Sequence, residues 1–192
     1  KYIEYFKGKG CKRYNFAADE YSFSNINNTL YTKFATFVND IAAMIIEAKM
    51  TPMAYNDGFY FDSLESDVKF NNNIEICYWA EDNGRASAQT LAEKGFKIIN
   101  NSNNWYYVLG DYLYQAWGSN GQWGYYDAIN GINNTDVLTV KGDTSGSVTP
   151  IGSVLCCWCD YPSVSYTGYG IKATSQTNQQ SVYKLIKAMA DA

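Results

Sequence analysis

Short apolar segments alternate along the chain with longer segments of helical periodicity, and this alternation restricts the fold more than any other feature. The predicted strands are Arg13–Ala17, Met50–Tyr55, Ile74–Trp79, Phe96–Ile99 and Val148–Trp158. Strands separated by helices are typical of parallel βαβ units, because a parallel strand needs a crossover that returns the chain to the same end of the sheet. The expected fold class is therefore α/β.

Two of the intervening segments carry clear helix signals. Tyr31–Lys49 places apolar side chains at helical spacing and predicts an amphipathic helix. Those side chains are Phe34, Phe37, Val38, Ile41, Ile45 and Ala48. Ala86–Lys94 predicts a second helix that ends at Gly95, since glycine is favoured where a helix terminates. Further helices are expected at Lys1–Lys9 and Gln176–Ala190.

Acidic or aromatic residues mark the ends of the predicted strands. They are Asp19, Glu20, Tyr55, Asp57, Trp79, Tyr106, Trp158 and Asp160. Such chemistry at one end of parallel strands is the pattern of a (β/α)8 barrel, which takes about 250 residues. The chain has only 192 residues. We therefore expect 1–192 to be a single partial catalytic domain, the C-terminal portion (about five βα units) of a TIM barrel, with an active-site loop inserted at about 110–147.

The composition excludes several classes of function. The net charge is −4 and no Lys/Arg-rich run is present, so no nucleic-acid partner is expected. The apolar stretches are too short to cross a bilayer, so no membrane insertion is expected. Histidine is absent, which rules out a Ser-His-Asp triad, a Cys-His dyad and a His-ligated zinc formed by this chain alone.

The five cysteines suggest neither a metal site nor a disulfide framework. Cys11 and Cys77 are isolated, while Cys156, Cys157 and Cys159 lie in one apolar segment. Side chains that follow one another along a strand point to opposite faces, so these three thiols do not converge on an ion. We expect buried free thiols, no metal and no cofactor.

Asp19 and Glu20, the acid pair, are the strongest candidates for chemistry. They follow the first predicted strand and precede a polar loop, which places them at the catalytic face of a barrel. Two neighbouring acids can divide acid/base work, one charged and the other holding a proton. The 18 Tyr and 5 Trp, with many Asn and Gly, are typical of surfaces that stack on sugars, although core packing accounts for most of the aromatic residues.

Five stretches follow one another in a characteristic order. They are Tyr14–Tyr21 (YNFAADEY), Thr51–Gly58 (TPMAYNDG), Ile76–Trp79 (ICYW), Asn104–Gly110 (NWYYVLG) and Val154–Asp160 (VLCCWCD). Together they resemble the C-terminal part of the catalytic barrel of the β-N-acetylhexosaminidases, glycoside hydrolase family 20. Within that family, the chain looks most like the branch of lacto-N-biosidases and bacterial surface hexosaminidases.

The resemblance implies hydrolysis with retention, in which the 2-acetamido oxygen of the substrate attacks the anomeric carbon and forms an oxazolinium ion. By that likeness Glu20 is the general acid, which protonates the leaving oxygen and later activates water. Asp19 orients the acetamido N–H and stabilises the positive charge that develops on it. Tyr106 donates a hydrogen bond to the acetamido oxygen, and its neighbour Tyr107 is the alternative donor.

The same resemblance implies a sugar pocket around the other strand ends. Trp79 and Trp158 would form walls for the N-acetylglucosamine ring and its methyl group. Asp160 would accept hydrogen bonds from sugar hydroxyls. Tyr55 stands where many family members have tryptophan and is a further pocket candidate. Asp57 either binds a hydroxyl or caps the turn in which it lies.

Val108 stands where many hexosaminidases have an Asp for a sugar hydroxyl, a departure that fits the lacto-N-biosidase branch. The implied partners are an oligosaccharide or glycan substrate and the N-terminal half of the same barrel. Because such glycans lie outside cells, a secreted or cell-surface location in a bacterium is expected. Other functions stay open: a carbohydrate-binding module, a non-catalytic barrel relic, or a conventional two-carboxylate glycosidase with Asp57 or Asp160 opposite Glu20.

Overall fold

The computed structural model describes most of the first hundred residues and shorter stretches after them. The described residues are 1–20, 26–61, 64, 68–79, 84–101, 107–109, 140, 143, 146–158, 186–187 and 190–191, of which 107–109 and 156–158 are described by their backbone alone. Two compact units are formed, Lys1–Ile99 with Val140–Ile151 and Asn100–Thr139 with Gly152–Ala192. The helices and strands are α1 (Tyr2–Gly8), β1 (Arg13–Asn15), α2 (Asn28–Glu47), β2 (Thr51–Tyr55), β3 (Glu75–Tyr78), α3 (Ala88–Glu93), β4 (Lys97–Asn100), β5 (Tyr107–Leu109) and β6 (Cys156–Trp158).

The first unit is built on a sheet with the strand order β1-β2-β3-β4. β1 and β2 are parallel, with Asn15 opposite Met53, and β2 and β3 are parallel, with Tyr55 opposite Cys77. The chain runs from β1 through α2 to its parallel neighbour β2, which is a βαβ unit. The predicted α/β class is therefore confirmed for this unit, and each of its strands lies close to its predicted position.

One face of α2 packs into the core of the first unit. Asn27 caps the helix, because its side-chain oxygen accepts a hydrogen bond from the Leu30 N–H at 3.0 Å. The buried side chains recur every three or four residues, at Tyr31, Ala35, Val38, Ala42 and Ile45. Phe37, predicted to face inward, is 59% exposed. That prediction was wrong because Phe37 lies one position before Val38, about 100° around the helix from the buried stripe.

The hydroxyl of Tyr31 ties α2 to the segment that follows β2. It donates a hydrogen bond to the Gly58 carbonyl at 2.8 Å and accepts one from the Phe61 N–H at 2.9 Å. Nearby, the rings of Phe59 and Phe70 pack with their centroids 4.7 Å apart. Aromatic burial and a satisfied buried hydroxyl together fix the turn after β2 against the helix.

α3 is shorter than predicted but has the predicted ending. Ser87 takes the cap position, with its hydroxyl accepting a hydrogen bond from the Thr90 N–H at 3.1 Å, so the helix begins at Ala88. Gly95 follows the helix with a φ of +91°. Glycine adopts this left-handed conformation at low cost, which explains why the sequence signal for the helix end is reliable here.

The described part of the second unit contains the parallel neighbours β5 and β6, with Leu109 opposite Trp158. β5 is not predicted by the sequence, because Tyr107–Leu109 lies in an Asn-rich and aromatic run without alternation. β6 occupies only the end of the predicted strand Val148–Trp158. The predicted insertion at 110–147 and the helix Gln176–Ala190 lie largely outside the described residues.

Of the cysteines whose side chains are described, Cys77 is buried and Cys11 is exposed, and neither forms a disulfide. The expectation of buried thiols is therefore confirmed at Cys77 and wrong at Cys11, which directly follows the turn that ends α1. Within the described residues, no group of three or more His, Cys, Asp or Glu side chains is placed to hold a metal ion. Likewise, no helix in this part of the chain has both the length and the apolar character needed to cross a membrane.

Candidate active site

The chain leaves β1 through a hydrogen-bonded bend that leads to the acid pair. The side-chain oxygen of Asn15 accepts a hydrogen bond from the Ala17 N–H at 2.8 Å, a local turn that asparagine favours. Pairing with β2 continues past the end of β1, since the Phe16 N–H donates to the Met53 carbonyl at 3.0 Å and the Tyr55 N–H donates to the Ala17 carbonyl at 2.8 Å. The segment before the acid pair is thus bound to the sheet.

Left-handed backbone surrounds the acid pair. The φ angles are +66° at Ala17, +63° at Ala18 and +53° at Glu20. This conformation costs about 1–2 kcal/mol for a residue other than glycine. Asp19 and Glu20 both have exposed side chains. Backbone strain next to two exposed carboxyl groups is typical of a functional site, where such strain is most often found.

The register of the sheet brings the predicted site residues of three strands to one edge. Tyr55 ends β2, and its N–H bonds to Ala17, which precedes the acid pair. Cys77 pairs with Tyr55 and lies just before Trp79 in the chain. Tyr55 and Trp79 are both partly buried. Because the carboxyl ends of parallel strands lie at the same edge, the acid pair, Tyr55 and Trp79 follow neighbouring strand ends, as in the active sites of α/β barrels.

Asp57 is buried at this edge, with 1% of its surface exposed. Its Oδ2 accepts a hydrogen bond from the indole Nε1–H of Trp79 at 2.6 Å. Its Oδ1 accepts from Nε and Nη2 of Arg85 at 3.0 and 2.9 Å. The Arg85 guanidinium also lies 5.2 Å from the centroid of the Trp79 ring, a cation–π contact. We call these three side chains the Trp79 clamp.

The neighbours of Asp57 fix the turn that carries it. Asn56 is fully buried at 0% exposure, and its side-chain oxygen accepts a hydrogen bond from the Trp79 backbone N–H at 3.0 Å. Gly58 is held to α2 by the Tyr31 hydroxyl. Buried polar groups that are bonded in this way favour a single arrangement. The turn after β2 is therefore tied both to the residue after β3 and to α2.

Sequence reasoning missed Arg85 and the side chain of Asn56. An isolated arginine in a polar loop is usually solvated, so nothing in the composition of this loop singles out Arg85. A weak signal is the preceding Gly84, which has a φ of +84°. A Cβ atom there would come within 2.9 Å of the tip of the Phe61 ring, and the left-handed φ disfavours other residues, so glycine is favoured at this position.

An ion pair joins β1 and β3 at the amino ends of the strands. Arg13 Nε donates a hydrogen bond to Glu75 Oε2 at 2.6 Å, and Nη2 lies 3.4 Å from Oε1. This hydrogen bond and the negative charge of Glu75 raise the pKa of the Arg13 guanidinium above its ordinary value. Glu75 is buried and Arg13 is exposed. Both this pair and the Trp79 clamp thus bind an arginine to a buried acid, at opposite ends of the strands.

Three predicted site residues belong to the second unit. Tyr106 and Asp160 lie outside the described residues, and Trp158 is described by its backbone at the end of β6. Their roles stay predictions. The predicted residues that the first unit places along one sheet edge are Asp19, Glu20, Tyr55, Asp57 and Trp79.

Solved structures with a similar fold include family 20 enzymes, whereas no family model matches the chain. The tandem GH20 catalytic modules of the pneumococcal exo-β-D-N-acetylglucosaminidase StrH give 32% identity and a TM-score of 0.75 over 99% of this chain and 45% of that chain. A second StrH structure, concerned with inhibition and with N-glycan recognition and hydrolysis, gives the same values. Dispersin B gives 19% identity and a TM-score of 0.59 over 97% of this chain and 56% of that chain.

These likenesses agree with the described architecture. The chain spans 45% of the length of the StrH chains that it matches. Dispersin B, at its lower identity, shares the fold. The neighbours imply a TIM-barrel fold, which is consistent with the parallel pairing of β1, β2 and β3 and with the intervening helix. Sequence identity and fold together support the relationship of this chain to glycoside hydrolase family 20.

Proposed function

We propose that the polypeptide containing this chain is a retaining glycoside hydrolase that acts on terminal β-linked N-acetylhexosamine-containing glycans by substrate-assisted catalysis. One observation carries the proposal: the exposed acid pair follows β1 at the same sheet edge as the end of β2 and Trp79. The similarity to StrH, an exo-β-D-N-acetylglucosaminidase, supports the same class of substrate.

The acid pair divides the chemistry. Glu20 donates a proton to the leaving oxygen and then takes one from the water that opens the oxazolinium ion. Asp19 accepts a hydrogen bond from the acetamido N–H, which turns the carbonyl oxygen toward the anomeric carbon and stabilises the developing positive charge. Because the nucleophile belongs to the substrate, no second carboxylate is needed to form a covalent intermediate.

The remaining predicted residues bind the sugar. Trp79 and Trp158 form pocket walls, and Tyr55 extends the wall from the end of β2. Tyr106 donates a hydrogen bond to the acetamido oxygen, with Tyr107 as the alternative donor. Asp160 accepts hydrogen bonds from sugar hydroxyls. These roles rest on the motif resemblance and, for Tyr55 and Trp79, on their place beside the acid pair.

Further barrel strands would complete the site. β1 ends the strand order of the described sheet, and α1 beside it in the chain exposes 71% of Tyr2 and 59% of Tyr5. An N-terminal half of the same barrel would extend the sheet at β1 and cover apolar surface of this kind. The 192-residue chain alone should therefore have little activity. An enzyme for such glycans would be secreted or held at a bacterial cell surface.

Hydrolysis of paired aryl glycosides tests the proposal. The complete polypeptide should cleave the 4-nitrophenyl β-glycoside of N-acetylglucosamine or of lacto-N-biose and leave the matching glycoside without the acetamido group almost untouched, because that glycoside lacks the nucleophile. Efficient cleavage of both would indicate a conventional two-carboxylate glycosidase. Binding of chitobiose or lacto-N-tetraose without cleavage of any of these glycans would indicate a carbohydrate-binding module.

Product analysis then separates the two branches of the family. A lacto-N-biosidase releases a disaccharide from lacto-N-tetraose. A hexosaminidase instead acts on chitobiose and releases a monosaccharide. Val108, in place of the Asp that many hexosaminidases have, favours release of the disaccharide. Release of N-acetylglucosamine alone would contradict that assignment while leaving the reaction type unchanged.

A further inference from the structure

Asp57 is placed to orient another side chain. It is 1% exposed, and both of its carboxylate oxygens accept hydrogen bonds from Trp79 or Arg85. A sugar hydroxyl would have to compete with charge-assisted bonds that are already formed. Both oxygens of Asp57 are therefore already bonded to protein groups, the Trp79 indole and the Arg85 guanidinium.

Trp79 is held at two points by consecutive residues. Asn56 binds its backbone N–H at 3.0 Å, and Asp57 binds its indole N–H at 2.6 Å. A tryptophan ring turns about two side-chain torsions, and a bond to the indole nitrogen, which lies off both rotation axes, restricts both. The turn after β2 thus sets the position and the orientation of the ring that follows β3.

Arg85 covers one face of that ring. Its side chain is 17% exposed, and its guanidinium lies 5.2 Å from the ring centroid while bonded to Asp57. A planar ring has two faces, and with a guanidinium on one of them a ligand can stack only on the other. Trp79 itself is only partly buried. The Trp79 ring is therefore one-sided, meaning that one face is covered by Arg85 and a sugar can stack only on the other.

We propose that Asp57 and Arg85 are positioning residues that fix Trp79 as a one-sided stacking wall for the sugar ring. The role in sugar binding rests on the proposed function, whereas the fixed orientation of Trp79 does not. Asp57 acts through Trp79 and contacts no substrate atom. Arg85 supplies the counter-charge for the buried acid and occupies the face that the sugar does not use.

The indole N–H resonance of Trp79 tests the clamp without any substrate. In the complete polypeptide labelled with ¹⁵N-tryptophan, Trp79→Phe identifies the resonance. Asp57→Asn keeps the shape of the side chain but replaces one carboxylate oxygen by an NH2 donor, so either the indole or Arg85 faces a donor in place of its acceptor. The resonance should move upfield and exchange faster with deuterated water. Arg85→Lys should also shift it, because the planar contact is lost.

The Arg13–Glu75 pair provides matched controls. Glu75→Gln and Arg13→Lys make the same chemical changes in a buried acid and its arginine at the other end of the strands. They should leave the Trp79 resonance in place. A resonance that is unchanged by Asp57→Asn, or that is moved equally by Glu75→Gln, would overturn the clamp.

Kinetics tests the sugar wall. Asp57→Asn should raise KM, and the inhibition constant of N-acetylglucosamine thiazoline, by about 10- to 100-fold. The change in kcat should be smaller, because a ring that stacks on the sugar binds the ground state and the transition state alike. A lower kcat with unchanged KM would contradict the wall. If the unmutated protein hydrolyses no hexosaminide, the proposed function fails, and the indole resonance still decides whether the clamp exists.

Discussion

Asp19 and Glu20 follow β1 and are exposed, whereas Asp57 follows the neighbouring strand β2 and is 1% exposed. The acid pair and Asp57 lie at the carboxyl edge of one parallel sheet. The backbone around the acid pair is left-handed at Ala17, Ala18 and Glu20, while Asp57 is held by side-chain bonds to Trp79 and Arg85. Neighbouring strand ends have thus placed acids in opposite environments.

We propose that this difference reflects separate roles for the two strand ends. A carboxyl group that transfers protons must reach the substrate, so exposure suits Asp19 and Glu20. A carboxylate that orients other groups works best when it is desolvated and fully bonded, because its bonds are then strong and its geometry is fixed. On this view the end of β1 performs the chemistry and the end of β2 holds the binding surface in place. Variants at each end should separate these roles.

The largest effect is expected at Glu20. In the complete polypeptide, Glu20→Gln should lower kcat for the glycan that it cleaves, chitobiose or lacto-N-tetraose, by about 10²- to 10⁴-fold, since the amide cannot protonate the leaving oxygen. Its melting temperature should barely change, because the side chain is exposed. Glu4→Gln, another exposed acid, is the matched control and should keep full activity. Equal activity of the two variants would remove the acid pair from the chemistry.

For the free energy of unfolding we expect the reverse: substitution of Asp57 should have a larger effect than substitution in the acid pair. Asp57→Ala removes the buried carboxylate that binds the mostly buried Arg85 and accepts from the Trp79 indole. Loss of one partner of a buried ion pair costs roughly 3–5 kcal/mol of unfolding free energy. Urea denaturation should show this loss, whereas Asp19→Ala should unfold close to the unmutated protein. Unfolding of both variants at the same urea concentration would contradict the structural role of Asp57.

The smallest effect is expected where the backbone is left-handed. Ala18 has a φ of +63°, so Ala18→Gly should raise the unfolding free energy by about 0.5 kcal/mol, the relief of strain being partly offset by the entropy of glycine. Ala43→Gly, at an exposed position of α2, is the control of opposite sign and should cost about 1 kcal/mol. A loss of stability at both positions would mean that Ala18 is not strained.

The sequence predicts the parts of this architecture that depend on local signals. The first four strands follow from apolar segments. The helix end at Gly95 follows from the low cost at which glycine adopts a left-handed conformation. Phe37 was predicted wrongly because periodicity fixes the helix but not the rotation of its buried stripe, which here is completed by small residues at Ala35 and Ala42.

In the candidate site, the residues that carry motifs were predicted, whereas the contact between Asp57 and Arg85 was not. The acid pair and Trp79 carry recognisable motifs at strand ends. Two roles of Asp57 were predicted, a hydroxyl contact and a turn cap, and neither includes Arg85, because Arg85 is a residue of a polar loop far along the chain. Non-local bonds of this kind depend on the packing of the whole sheet and have no counterpart in a single stretch of sequence.

The most direct test of the account is the rate of hydrolysis as the acetamido group of the substrate is fluorinated. The complete polypeptide would be given aryl β-glucosaminides with acetyl, monofluoroacetyl, difluoroacetyl and trifluoroacetyl groups. If the substrate oxygen is the nucleophile oriented by Asp19, kcat/KM should fall steeply with each fluorine, because fluorine withdraws electron density from that oxygen. A value of kcat/KM that does not change along the series would contradict substrate assistance and the role of Asp19.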